Sequence, residues 1–156
     1  MRLADVTNPE LVWPDLRSAS KAELLQELAQ LISASQHSID VSSMSDLLFA
    51  CEELASTALE DGVAIPHSKV PGLQSTVLAL GRSQQGVDFE ASDMKPTKLF
   101  FVLLVPEKST HEHLSMLARL SRLMKISKLR SSLLKANTAQ QMYDFLIAAD
   151  ERISLC

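Results

Sequence analysis

A chain of 156 residues with a net charge of −4, 46% apolar and 22% charged residues, has the length and balance of one folded domain. The acidic balance argues against a nucleic-acid or anionic-membrane partner, either of which wants a basic face. The longest apolar run, over residues 99–105, is far too short to cross a bilayer, and two cysteines, Cys51 and Cys156, make neither a disulfide framework nor a metal-ligand spacing.

The first residues, Met1-Arg2-Leu3-Ala4-Asp5, lead into a polar stretch with Pro9 and Pro14 and lack the apolar core of a signal peptide. With the unpaired cysteines, this places the expected protein in the cytoplasm. Ser20-Lys21-Ala22-Glu23 is a capping-box pattern. The apolar residues after it, Leu24, Leu25, Leu28, Leu31 and Ile32, share one helical face. A second helix is expected over 43–54, with Met44, Leu47, Leu48, Cys51 and Leu54 inward. Glycines begin only at Gly62. A short strand is expected over 62–65 and is ended by Pro66, which removes a backbone donor and holds its neighbour extended. Gly72 marks a turn. Residues 76–80 form a strand candidate stopped by Gly81, residues 87–90 alternate like a short half-buried strand, and the unbroken run 99–105 suits a central strand covered on both faces. Ser109-Thr110-His111-Glu112 is a second capping box ahead of Leu114, Met116, Leu117, Leu120, Leu123 and Met124. A shorter helix follows through Leu129, Leu133 and Leu134. Thr138 then caps a last one carrying Met142, Phe145 and Leu146. Neither a repeat nor a linker divides residues 1–156, read as a single domain. The order of elements predicts an α/β fold, a three-layer sandwich in which helices flank a mixed sheet.

The segment Asp61-Gly62-Val63-Ala64-Ile65-Pro66-His67-Ser68-Lys69 puts an imidazole just past a strand end, beside a stiff proline. Reactive groups tend to sit on such scaffold-held loops, and histidine can be a neutral nucleophile near pH 7. Taken alone, it is equally a turn histidine making one hydrogen bond. His113 falls in the first turn of the helix opened by Ser109, where free N–H groups and the positive dipole end suit an arriving phosphoryl group and disfavour a charged imidazolium. Glu112 beside it opposes that effect. Spacing turns His113 toward the body of the domain, so a satisfied inward histidine is the bland alternative. His111, two positions away, points nearly opposite, so the pair cannot chelate a metal as i, i+4 residues can. His111 and His37 read as surface residues, and no metal or cofactor is expected.

Four blocks in order make the sequence recognisable: Ser56-Thr57 through Gly62-Val63-Ala64-Ile65-Pro66-His67; Gly86-Val87-Asp88-Phe89 with Asp93; the strand from Leu99 to Pro106; and His113-Leu114-Ser115-Met116-Leu117-Ala118-Arg119-Leu120. Together they resemble the fructose/mannitol class of EIIA domain of the phosphoenolpyruvate:sugar phosphotransferase system, a class that includes the nitrogen-regulatory IIA proteins. The resemblance implies that His67 is phosphorylated and His113 is its active-site partner. It also implies a phospho-HPr-like donor and, as acceptor, a cysteine on an EIIB domain or a regulatory target protein. Thr57 would lie near the phosphate as a hydroxyl donor. Lys69 is a further candidate for charge pairing, or simply a solvated lysine. Val70, Pro71 and Leu73 are candidate rim residues for a docking protein, or ordinary turn and core positions.

The chain departs from the family where an arginine usually precedes glutamate: Cys51 stands there, followed by Glu52, and Ala55, Ala58 and Glu60 replace small or glycine residues. A lost guanidinium is not made good by a lysine elsewhere. Cys51 reads as a small buried hydrophobe on its helix stripe. Two functions follow as expectations. One is a phosphocarrier acting through His67, in sugar transport or, given the free-standing domain, in nitrogen-type regulation. The other is a non-catalytic interaction module that kept the fold and lost efficient phosphorylation.

Overall fold

The computed structural model describes residues 1–36, 39–54 and 56–154. His37, Ala55 and Cys156, named above, lie outside them. Two short 3-10 turns, Leu3–Asp5 and Pro9–Leu11, open the chain, followed by β1 (Val12–Trp13), α1 (Lys21–Ser35), α2 (Val41–Leu54), β2 (Val63–Ala64), β3 (His67–Val70), β4 (Val77–Val87), β5 (Thr97–Pro106), α3 (Thr110–Met124), α4 (Ser127–Lys135) and α5 (Ala139–Ser154). β4 and β5 pair antiparallel at the centre, and β1 runs parallel to β4 on one side. On the other side β2 and β3 share a single lane, both parallel to β5, level with Leu99–Phe100 and with Leu103–Pro106 respectively. The sheet is therefore mixed, as expected.

Strand β5 explains why the layers are three. Its side chains alternate between two cores. Leu99, Phe101, Leu103 and Val105 join Met116, Leu120 and Leu123 of α3, Leu129 and Leu133 of α4, and Met142 and Leu146 of α5. Phe100, Val102 and Leu104 join Leu24, Leu28 and Ile32 of α1 and Met44 and Leu48 of α2. Every side chain from Leu99 to Val105 is at most 1% exposed. Each contributes about 1.5–3 kcal/mol of apolar burial, so this one strand anchors both helical layers.

Several elements differ from expectation. Pro66 does not end the lane. Leu103 donates from its backbone N–H to the Pro66 carbonyl at 2.9 Å, and pairing resumes at once with His67 opposite Leu103. A proline is tolerated because this lane lies at the sheet edge. His67 is thus the first residue of a strand rather than a turn residue. Gly81 does not stop β4 either. It lies within the strand where Leu16 crosses, and a Cβ there would sit 2.7 Å from Leu16 Cδ1. The strand expected over 87–90 is only the tail of β4, for Asp88 turns the chain by accepting the Glu90 N–H at 3.1 Å. β1 is too short for a pattern to reveal. Helix α2 starts two residues early because the Asp40 carboxylate accepts the Ser43 N–H at 3.1 Å, an N-cap interaction. The Ser109 box does not form. Ser109 makes no side-chain cap bond, and Glu112 instead accepts a hydrogen bond from the Thr76 hydroxyl.

Gly86 marks the irregularity near the end of β4, with φ at +83° and a would-be Cβ 2.7 Å from Pro96 Cβ. Both the torsion and the space reject a side chain. Gly86→Ala is expected to lower stability by about 1–3 kcal/mol, measured by urea denaturation. An unchanged midpoint would show that the β4–β5 end can shift to admit a methyl group.

Candidate active site

Alternation along β3 puts His67 and Lys69 level with Leu103 and Val105, on the face covered by α3. Ser68 and Val70 turn the other way and are buried. The N-terminal turn of α3 lies over this edge. The His67 and His113 rings meet there with centroids 5.0 Å apart and planes at 63°. The Lys69 ammonium donates to the hydroxyl of Thr110, the first residue of α3, at 3.0 Å. Two residues from β3 and one helix start thus converge on one spot at the sheet edge.

The two imidazoles are prepared differently. His67 Nδ1 lies 2.6 Å from the Ile65 carbonyl oxygen. A carbonyl only accepts, so neutral His67 carries its proton on Nδ1, and Nε2 keeps its lone pair. The ring is half-buried, next to solvent. His113 has no such guide, and its Nε2 is buried without a partner among the described residues. Burial, then the neighbouring His67 and Lys69 charges, hold its pKa below the ordinary histidine value. The uncharged form of His113 is therefore favoured, and its Nε2 is left free for a ligand.

That depression has a sign for stability. As pH falls, the unfolded chain protonates this histidine first and the native chain only later. The stabilisation is complete above the ordinary histidine pKa and fades as pH drops from there through the lowered native value. Two-dimensional NMR titration is expected to give the His113 ring a midpoint below the ordinary histidine value. A His113→Gln variant is expected to lose less thermal stability than the parent between about pH 7.5 and pH 5.5. A His113 midpoint at or above the ordinary histidine value would contradict the assignment.

Around the rings, the parts of the expected residues change. The Thr57 hydroxyl donates to the Glu52 carboxylate, so its one proton is engaged there instead of being held out for a phosphate. The Thr57 backbone matters more, since its carbonyl accepts from the Ile65 N–H at 3.1 Å. Glu52, with a side chain only 4% exposed, also accepts the Thr57 N–H at 3.2 Å and pairs with Lys21 at 2.9 Å. Burial works against the Lys21 charge, but hydrogen bonding and attraction from Glu52, then Glu90, outweigh it and raise its pKa. Cys51 is a free, half-buried thiol rather than a core side chain. Val70, Pro71 and Leu73 line a cleft of about 480 Å³ with Ile39, Asp40 and Leu47. Glu52 is the buried neighbour of Thr57 to which the sequence reading gave no role. Its only signal was its place beside the missing arginine.

No group of three or more His, Cys, Asp or Glu residues able to hold a metal occurs among the described residues, and none of their helices is long and apolar enough to cross a membrane. The profile of the family "Phosphoenolpyruvate-dependent sugar phosphotransferase system, EIIA 2" matches residues 5–149. The chain belongs to this EIIA family. A nitrogen regulatory protein of Bradyrhizobium diazoefficiens is 36% identical over 146 residues, covering 94% of this chain and 95% of the relative. The fructose-specific EIIA component of Haloferax volcanii is 33% identical, covering 92% and 94%. Among solved structures, the nitrogen regulatory protein IIA-Ntr from Neisseria meningitidis superposes with a TM-score of 0.87 at 33% identity, covering 92% of this chain and 98% of that one. An EIIA-type component of the phosphotransferase system, with both regulatory and sugar-specific relatives, accounts for the sequence blocks and the fold together.

Proposed function

We propose that His67 Nε2 accepts a phosphoryl group from a phosphohistidine carrier of the HPr kind and passes it on. The receiver is a cysteine of an EIIB domain or, as the nitrogen-regulatory relatives favour, a target protein whose activity the phosphorylation state controls. Residues 1–156 act in this reading as one domain, in the cytoplasm with the phosphoenolpyruvate-driven donors.

The observation that carries the reading is the pairing of two rings 5.0 Å apart with opposite preparation. On one, the Ile65 carbonyl holds the proton on Nδ1 and leaves the solvent-side nitrogen free to attack. The Nε2 lone pair forms the new P–N bond while the donor's P–N bond breaks, its electron pair returning to the donor ring. Positive charge developing on His67 is stabilised at Nδ1–H by the same carbonyl. The other ring offers the unpartnered Nε2 of His113, protonated in this reading, to an equatorial phosphoryl oxygen, and Lys69 adds positive charge beside the helix start. Phosphoryl transfer through a loose transition state asks for little more than alignment and such donors.

The test is incubation with phosphoenolpyruvate, enzyme I and HPr or its nitrogen-branch relative. An acid-labile, base-stable phosphate on the protein is the expected result. Its complete absence with each donor would overturn the proposal in favour of a non-catalytic interaction module.

A further inference from the structure

The Nδ1–H tautomer of His67 depends on where the Ile65 carbonyl points, and the structure shows what holds that peptide. The Ile65 N–H donates to the Thr57 carbonyl at 3.1 Å, while the Leu59 N–H donates to the Val63 carbonyl at 2.7 Å. Ala58 bridges Ala64 in antiparallel fashion. The segment before the histidine therefore lies along β2 like a short extra strand. It is tied down where both the hydroxyl and the N–H of Thr57 donate to Glu52. Glu52 stands in the last turn of α2 and is held in turn by Lys21 at the start of α1, 2.9 Å away. Lys21 is itself fixed, with its ammonium 4.7 Å above the ring centre of the fully buried Phe89 and 3.3 Å from Glu90.

We infer that Glu52 is a positioning residue for His67, setting the tautomer and direction of the ring through Thr57 and Ile65. The inference rests on the reading of His67 as the phosphoryl acceptor. A carboxylate at 4% side-chain exposure carries a desolvation cost. A surface tether for a loop would not need to be buried. Its two oxygens are used on one residue and one cation, which fixes the Thr57 peptide in both position and tilt. From Thr57 the path to the nucleophile is two hydrogen bonds, Ile65 N–H to the Thr57 carbonyl and His67 Nδ1–H to the Ile65 carbonyl, each a fixed-geometry contact. Outer partners of this kind orient a reactive imidazole much as they orient metal-bound ones. Loosening the Glu52 end lets the Ile65 carbonyl drift from Nδ1, and the ring then samples the other tautomer, whose Nε2 carries the proton and cannot attack.

The experiment needs no phosphodonor. In unphosphorylated protein with ¹⁵N-labelled histidine, well above the histidine titration range, two-bond ¹H–¹⁵N correlations report which His67 nitrogen bears the proton. The wild type is expected to show Nδ1–H dominant. Glu52→Ala is expected to shift the His67 nitrogens toward a mixture of tautomers and to slow phosphorylation roughly 10- to 100-fold without raising KM for the donor in proportion. Glu52→Gln, which still accepts from Thr57, is expected to rescue most of the tautomer signal. If Glu52→Ala does not fold, Thr57→Val, which keeps the backbone and drops the hydroxyl, is expected to move the signals the same way by a smaller amount. A core variant of similar thermal stability, Ile32→Val, is expected to leave them unmoved. Unchanged His67 shifts in both Glu52→Ala and Thr57→Val, or an equal shift in Ile32→Val, would overturn the inference. Moved shifts with no phosphorylation of any protein, wild type included, would leave the positioning role standing and remove the carrier reading instead.

Discussion

Exchange of His67 for alanine is expected to abolish the acid-labile phosphate completely, whereas exchange of His113 slows its arrival about 10²- to 10³-fold and exchange of His111 changes nothing. The ranking follows from what each ring can do. Among the described histidines only His67 combines a lone pair left free by an engaged Nδ1 with a ring open to solvent, so under the proposed scheme removing it removes the atom that bonds phosphorus. His113 forms no bond to phosphorus in this scheme. It supplies a hydrogen bond that strengthens as charge builds on the phosphoryl oxygens, the kind of donor whose loss slows a reaction without stopping it. His113→Gln, which keeps an N–H donor near the same place, is expected to recover part of the rate. His111 is exposed on α3, away from the pair. Quench-flow measurement with purified phospho-donor separates the three cases. A label that survives in His67→Ala would move the nucleophile elsewhere, and a His113→Ala rate equal to wild type would confine His113 to packing.

The pairing of the two rings was expected from the family resemblance, and the structure supplies separable reasons for it. His113 is placed by helical spacing, because the stripe of Met116, Leu120 and Leu123 that buries α3 fixes where its first turn points. His67 is placed by the period of two. Once β3 pairs with β5, residues 67 and 69 must share the face of Leu103 and Val105. What sequence could not supply was that β3 exists. Proline ordinarily ends a strand, and only the neighbouring β5, whose Leu103 N–H takes the Pro66 carbonyl, lets the lane continue. The same limit applies to Gly81, which reads as a stop until Leu16 is known to lie on it. The Ser109 box failed because Thr76, distant in sequence, competes for Glu112. Thr57 was given a role at the phosphate because its place in the motif is visible and the buried carboxylate that takes its hydroxyl is not. Local pattern and the resemblance thus singled out the two histidines, and long-range hydrogen bonds decide how their surroundings are held.

Arg82→Met is expected to lower global stability by about 3 kcal/mol or more while leaving phosphorylation of the folded fraction unchanged. Arg82 projects from β4 with 2% exposure, and its guanidinium is taken up by backbone carbonyls. Nη1 donates to Leu133 at 2.9 Å and to Ala136 at 2.6 Å, and Nε donates to Pro14 at 3.1 Å. Leu133 and Ala136 lie at the C-terminal end of α4, where helix carbonyls lack intrahelical donors and the dipole is negative. One side chain thus caps a helix from below and stitches it to the sheet and to the segment after β1. Methionine fills similar space but donates nothing, so several buried carbonyls lose their partner together. The result differs from replacing a whole buried ion pair with apolar groups, which can be neutral, because here the acceptors are backbone and stay. Arg82→Lys restores a charge but not the planar fork, and is expected to recover only part of the loss. The site is spared because Arg82 pairs with Leu99 and His67 with Leu103, four positions or about 13 Å apart along β5. Urea denaturation, with amide exchange at the end of α4, measures the first effect, and the phosphoryl-transfer assay measures the second. A variant within about 0.5 kcal/mol of the parent would mean that water can enter and satisfy the carbonyls at the end of α4, and that the burial of this guanidinium is incidental to the fold.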